Sequence, residues 1–151
     1  MEQKYKELLI RYLCMALPYK VVIDYSYNAF NIRKGDYVKQ GSKCLLDCDL
    51  LDVFISPRQN EEGEYIKPYL RPISSMTMEE DQKRIDLGIW KSNQYNGQVI
   101  GIFQDIAYAN PRNFQNALIW LLQNHFDIFG LIPARLAIEV TEENNPYKIA
   151  K

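Results

Sequence analysis

Apolar residues recur along the chain with two periods, and the switches between them divide it into elements. Tyr5, Leu8, Leu9, Tyr12, Leu13 and Ala16 fall at i, i+3, i+4, i+7, i+8 and i+11, which predicts an amphipathic helix over 4–17. Pro18 ends it, because its ring removes a backbone donor and turns the preceding residue away from helix. Lys20–Tyr25 is β-branched and predicts a strand. From Ser26 to Ser56 the pattern predicts a β-meander, with turns at Lys34-Gly35-Asp36 and Gln40-Gly41-Ser42, where each glycine offers a positive φ. Lys43–Ile55 predicts one long strand. Cys44, Leu46, Cys48 and Leu50 lie on one face and Asp47 and Asp49 on the other, and Leu51, Val53, Phe54 and Ile55 break the alternation as a bulge or as burial on both faces.

The second half is read mainly from its punctuation. After a polar turn at 57–63, 64–66 predicts a short returning strand. Lys67–Met76 then predicts a crossing without regular structure, held extended by Pro68 and Pro72. Thr77-Met78-Glu79-Glu80 is a capping box, in which the threonine hydroxyl accepts from the third helical N–H and Glu80 reaches back to the cap. Glu79, Glu80 and Asp81 add negative charge at the positive end of the helix dipole. This helix is expected to run to about Lys91, with Met78, Gln82, Ile85 and Ile89 on its inner row and Gly88 as a weak point. The stretch 98–108 suits a strand or a short helix. Asn110-Pro111 opens another helix, whose stripe is Phe114, Ala117, Leu118, Leu121 and Leu122, widened by Ile119 and Trp120. Leu136–Val140 predicts a closing strand, and 141–151 reads as a polar tail. The expected fold class is α+β over a single domain, 1–151, with an N-terminal amphipathic helix, an antiparallel meander and two further helices packed on the sheet.

Composition narrows the function classes more than it names one. The 151 residues are 47% hydrophobic and 25% charged, ordinary for a chain that buries a core. Net charge is −1; up to Ser75 there are 11 basic and 10 acidic residues, beyond it 7 and 9, so neither half has the basic excess of a nucleic-acid binder. Three cysteines, an odd number, argue against a disulfide scaffold and for a reducing compartment. Glu7 and Arg11 interrupt the N-terminal apolar run, and the longest apolar run, Ala117–Leu122, is too short to span a bilayer. A cytoplasmic protein is the expectation.

Candidate chemistry is sparse. His125 is the sole histidine, a candidate general base for Cys14, Ser74 or Ser75, though its place at a helix C-terminus favours a capping or packing residue. Cys14, Cys44, Cys48 and His125 match the ligand count of a Cys₃His zinc site, but Cys44 and Cys48 lack knuckle spacing and their alternation fits a core strand, so no metal is expected. Arg33, Lys34, Tyr37, Lys39 and Lys43 form a basic hairpin interleaved with an aromatic, a weak nucleic-acid motif that a lysine-protected sheet edge explains as well. Asp47, Asp49 and Asp52 lack the glycine and the final glutamate of an EF-hand loop. No phosphate loop or nucleophile elbow is present, and no cofactor is expected. Tyr69, Leu70 and Arg71, clamped between prolines, together with His125, Phe126 and Asp127, are the candidate anchors of a protein interface. A structural reading of the same residues plugs the core with Tyr69 and Leu70 and ion-pairs Arg71.

Lys67–Asp81 (Lys-Pro-Tyr-Leu-Arg-Pro-Ile-Ser-Ser-Met-Thr-Met-Glu-Glu-Asp) and Trp120–Ile132 (Trp-Leu-Leu-Gln-Asn-His-Phe-Asp-Ile-Phe-Gly-Leu-Ile) resemble a group of small uncharacterised proteins of Bacteroides-type gut bacteria and their phages and mobile elements. Leu17-Pro18-Tyr19 is similar too. The chain departs from that group at Lys20, where glycine is expected, at Ile73 for methionine, and at Ile128-Phe129 for Tyr-Arg. The resemblance implies a genomic setting and no reaction, cofactor or catalytic residue. With the residues, it makes a non-enzymatic accessory protein that binds another protein the leading expectation. A small hydrolase or transferase centred on His125 is the alternative, and nucleic-acid binding through 33–43 a second one.

Overall fold

The computed structural model describes residues 3–31, 33–55, 65–88, 90–92, 99–101 and 111–148. The fold is α+β, opened by helix α1 (Gln3–Ala16). Leu9, Tyr12, Leu13 and Ala16 of its stripe are fully buried, while Tyr5 at its start is exposed. A 3₁₀ turn, Leu17–Tyr19, follows, and Lys20 closes it in the left-handed region at φ 55°. Glycine is the residue that adopts this conformation at least cost.

Strands β1 (Val22–Asn31) and β2 (Asp36–Leu45) pair antiparallel along their whole length. Gly35 takes φ 64° in the turn between them. The expected second turn at Gln40-Gly41-Ser42 is absent: Gly41 pairs with Ser26 in a continuous ladder, because nothing forces a reversal once β1 supplies partners on both sides of it. The long strand expected over 43–55 is also corrected. It stops at Leu45, and helix α2 (Cys48–Ile55) begins after Asp47, whose Oδ1 accepts from Leu50 N–H at 2.8 Å. Asp47 is thus an N-cap rather than a strand residue. The break in alternation that starts at Leu51 was helical spacing, with Leu51 turned into the core.

Strand β3 (Tyr65–Leu70) pairs antiparallel with β1, so the segment 67–70 is strand rather than irregular crossing. Beyond β3 come a 3₁₀ turn (Ile73–Ser75), helix α3 (Met78–Asp86), the short hairpin β4 (Trp90–Ser92) and β5 (Val99–Gly101), helix α4 (Pro111–Gln123) and β6 (Ile138–Glu139). β6 joins β3 in parallel, so the sheet has the order β2-β1-β3-β6 and is mixed, where an antiparallel meander was expected. The stretch 98–108 is a strand at 99–101; its remaining residues, Ile89, Asn110 and the tail beyond 148 lie outside the described set.

One face of the sheet is the core. Val21 and Ile23, Cys44 and Leu46, and Ile66, Pro68 and Leu70 share it by register, and α1 lies against them in contact with α2 and α4. A second cluster, Ile73, Ala117, Leu121 and Phe126, joins α4 to the turn after β3. The expected α4 stripe holds, with Ala117, Leu121 and Leu122 buried.

The β1–β3 ladder ends in an unusual splice. Its last pair is Ile23 with Pro68, so Val22 would face Tyr69 next. Instead the hydroxyl of Tyr147 stands between them, accepting from Val22 N–H at 3.2 Å and donating to Tyr69 C=O at 2.7 Å. A side chain from the polar C-terminal segment thereby substitutes for one rung of the sheet. Alternation along an antiparallel pair then makes Ile23–Pro68 a non-hydrogen-bonded pair, where the missing proline N–H costs no rung. Tyr147→Phe keeps the ring but strands Val22 N–H and Tyr69 C=O, and it is expected to lower unfolding free energy by about 1–3 kcal/mol in urea titrations with the m-value unchanged.

Candidate functional site

The two stretches that stand out in the sequence, 67–81 and 120–132, meet in the fold. Arg71 N–H donates to His125 C=O at 2.8 Å and Arg71 C=O accepts from Asp127 N–H at 2.9 Å, a parallel bridge between Arg71 and Phe126 that carries β3 one residue further. The Arg71 guanidinium then makes a two-pronged ion pair with Glu80, Nη1 to Oε1 and Nη2 to Oε2, both at 2.8 Å. Nη2 also donates to Ser75 C=O at 3.2 Å, and the guanidinium carbon lies 4.4 Å from the centre of the Phe126 ring.

Glu80 is the hinge of this arrangement. The predicted capping box is present: Thr77 Oγ1 accepts from Glu80 N–H at 3.2 Å, and Glu80 Oε2 accepts from Thr77 N–H at 2.8 Å. One carboxylate therefore caps α3 and grips Arg71 together, and the bond from Arg71 chiefly holds its pKa below the usual carboxylate value.

His125 owes its place to the exit of α4. Phe126 N–H bonds Leu121 C=O and His125 N–H bonds Leu122 C=O, each at 3.1 Å, the paired bonds of a Schellman motif. His125 occupies the left-handed position at φ 58°, where glycine is commonest. Its ring stacks on Tyr147, 3.8 Å between centroids and 11° between planes. Burial, and then the Arg71 charge, lower its pKa to about 4. The imidazole is therefore neutral at pH 7. Its Nδ1 and the Tyr12 hydroxyl are buried without a hydrogen-bond partner. Among the described residues, neither Cys14, Ser74 nor Ser75 bonds to His125, and Ser75 Oγ is committed to Pro72 C=O at 2.8 Å.

The six candidate interface residues divide sharply. Leu70, Phe126 and Asp127 are buried. Asp127 organises the turn after α4: Oδ1 accepts from Leu131 N–H and Oδ2 from Ile132 N–H, both at 2.8 Å. Burial pushes its pKa up against the pull of those amides and of Phe129 and Gly130. Tyr69, Arg71 and His125 are partly exposed, but Arg71 is engaged as described and Tyr69 carries Lys43 Nζ 4.5 Å over its ring. Leu70 and Arg71 thus stand as the structural reading has them, as core plug and ion pair, while Tyr69 is only partly buried.

The basic hairpin is described only in part. Arg33 and Lys34 sit at the β1–β2 turn, while Lys43 lies seven residues beyond Asp36, roughly 24 Å along β2 at about 3.4 Å per residue. The side chains of Tyr37 and Lys39 lie outside the described set. Among the described residues no group of three or more His, Cys, Asp or Glu is placed to hold a metal. Cys14 and Cys48 are exposed, and burial raises the thiol pKa of Cys44, followed by Asp47 and Asp24. No described helix is long and apolar enough to cross a membrane.

Helix α3 departs most from expectation. Met78 is 91% and Ile85 54% exposed, whereas Arg84 is only 9% exposed. Of the row expected to face inward, Met78, Gln82 and Ile85 face out. Glu80, Arg84 and Leu87 face in, because Glu80 is tied to Arg71; Arg84, on that side, has its Nε bonded to Asp81 Oδ1 at 2.9 Å. Gly88, at φ 72°, ends the helix rather than weakening its middle. The sequence held a clue: only two of the first eight residues of α3 are apolar, too few for an inner stripe. Tyr147, by contrast, was hidden in a polar segment with no periodicity to expose it.

No known family's sequence profile matches the chain, and neither a curated protein nor a solved structure matches it.

The depressed His125 pKa fixes the sign of a pH effect. Between about 4 and 6.5 the unfolded state holds more protons, so this contribution to stability is fully present above pH 6.5 and is lost as pH falls toward 4. Allowing for partial exposure, the loss is on the order of 1 kcal/mol. His125→Asn, which tolerates the left-handed backbone and does not titrate, is expected to flatten this part of the stability–pH curve relative to wild type in chemical denaturation.

Proposed function

We propose that the protein is a non-enzymatic accessory protein that works by binding another protein, and that the outward face of α3 is its binding surface. The observation that carries this reading is the inversion of α3. Scattered exposed apolar residues are normal on protein surfaces. A helix that turns an arginine inward and ion-pairs it while leaving a methionine and an isoleucine two turns apart in water is a different matter. Met78 and Ile85 stand at i and i+7, the spacing at which a helix offers anchors to a partner's groove. The clamp of Glu80 on Arg71 fixes the rotation of α3 about its axis, so the surface is preset before any partner arrives.

The resemblance to proteins of gut-bacterial phages and mobile elements places the search for the partner in such a host, with the gene neighbourhood as its first guide. The test is affinity capture from that host followed by binding measurements with the purified partner. Met78→Glu combined with Ile85→Glu is expected to weaken binding at least tenfold, about 1.4 kcal/mol, while the fold is retained by circular dichroism. Binding that ignores both substitutions, or an enzymatic activity that His125→Ala abolishes, contradicts the reading.

A further inference from the structure

We propose that the C-terminal segment 141–148 is an acid-released strap, held shut by the stack of Tyr147 on His125 and freed when that imidazole takes up a proton. The strap is tied to the body at few points. Thr141 and Asn144 bond each other, Tyr147 N–H donates to Asn145 Oδ1, and Lys148 Nζ donates to Glu142 C=O. Asn144 Nδ2 reaches back only to Glu139 C=O, just before the strap. Among the described residues, its hydrogen bonds to β1 and β3 are the two of the Tyr147 hydroxyl, with Val22 N–H at 3.2 Å and Tyr69 C=O at 2.7 Å. The ring that carries this hydroxyl lies flat on His125, 3.8 Å between centroids.

A charged imidazole carries N–H on both nitrogens, and Nδ1 of His125 is buried without a partner, so in the stacked position one of those donors has no acceptor. The charges around the ring oppose the proton as well. Arg71, from the end of β3, bears on it with like charge. The nearby carboxylates are committed elsewhere: Glu80 of α3 to Arg71 and Thr77 N–H, Asp127 to the amides of Leu131 and Ile132. From α1 comes the Tyr12 phenol, kept protonated by burial and then by Tyr147 and Asp127, and burial keeps the Tyr147 phenol protonated too. The face of the Tyr147 ring would by itself attract a cation. Burial and Arg71 act against that attraction and hold the imidazole pKa at about 4. Strap and proton therefore compete for His125. Once the strap lifts, the ring meets water and titrates nearer its ordinary 6.5. The open state holds the extra proton between these values, so opening is suppressed above pH 6.5 and grows as pH falls toward 4. Across that window the opening equilibrium rises on the order of 100-fold.

Amide hydrogen exchange on the full chain tests this at Val22, whose N–H is covered by the strap's hydroxyl. Its protection factor is expected to fall at least tenfold between about pH 7 and about pH 4.5, ahead of the slowest core amides. In His125→Asn, which does not titrate and tolerates the left-handed backbone, that fall is expected to vanish. The sole histidine also gives one imidazole resonance, which can be titrated by NMR. Its pKa is expected to rise by about one unit or more in Tyr147→Ala. Should Tyr147→Ala not fold, the exchange comparison of wild type with His125→Asn decides alone. Three results overturn the proposal. One is a Val22 amide that exchanges only by global unfolding at every pH. Another is an acid opening that persists in His125→Asn, which would assign it to Asp127. The third is a His125 pKa in folded Tyr147→Ala that stays level or drops, which would mean that the stack favours the cation.

Discussion

The backbone of Arg71 is the junction on which the rest of this structure depends. Its N–H and C=O are both spent on the exit of α4, on His125 and Asp127, at the point where β3 runs out of sheet. Its guanidinium reaches the other way, to the carboxylate that caps α3. One residue therefore fixes where two helices attach to the sheet. An arginine is suited to this because its planar fork meets both carboxylate oxygens at once while its flat face covers the Phe126 ring. Partial exposure of both side chains keeps the desolvation cost of the pair modest.

Around that junction the molecule solves a second problem, how to end a ladder between β1 and β3 without orphaning its rungs. The Tyr147 hydroxyl serves as donor and acceptor at once, which no backbone group can do from a single atom. Burial raises the phenol pKa well above its ordinary value, so the proton needed by Tyr69 C=O is retained. The stack on His125 holds the ring in place, and this accounts for a histidine where a glycine would be less strained. The sole histidine is thereby absorbed into the architecture, and Asp127 likewise, through its grip on the amides of the following turn.

Legibility in the sequence followed the range of the forces involved. The α1 stripe, the capping box at Thr77, the proline start of α4 and its stripe were readable because each is set within two or three turns of chain. The α2 helix was misread as strand because eight residues rich in Leu, Val, Phe and Ile satisfy both periods, and the deciding Asp47 cap looks like any polar strand residue. The turn at Gly41 was misplaced because a glycine only permits a turn, and a ten-residue partner strand overrode it. The orientation of α3 depended on Arg71, nine positions before Glu80, an ion pair that no periodicity encodes. The splice at Tyr147 spans 125 residues from Val22 and is purely tertiary. For the candidate site, the two stretches singled out in the sequence do meet. Several of their side chains turn inward, and the exposed Met78 and Ile85 lie one helix away, on α3.

The most direct measurement of this account is amide hydrogen exchange at Arg71 and Asp127. If the bridge between β3 and the α4 exit is the junction described, both amides exchange only through global unfolding, with an opening free energy equal to that of the slowest core amides of β1 and α1. Exchange of either amide through local opening, several kcal/mol below the global value, would contradict it.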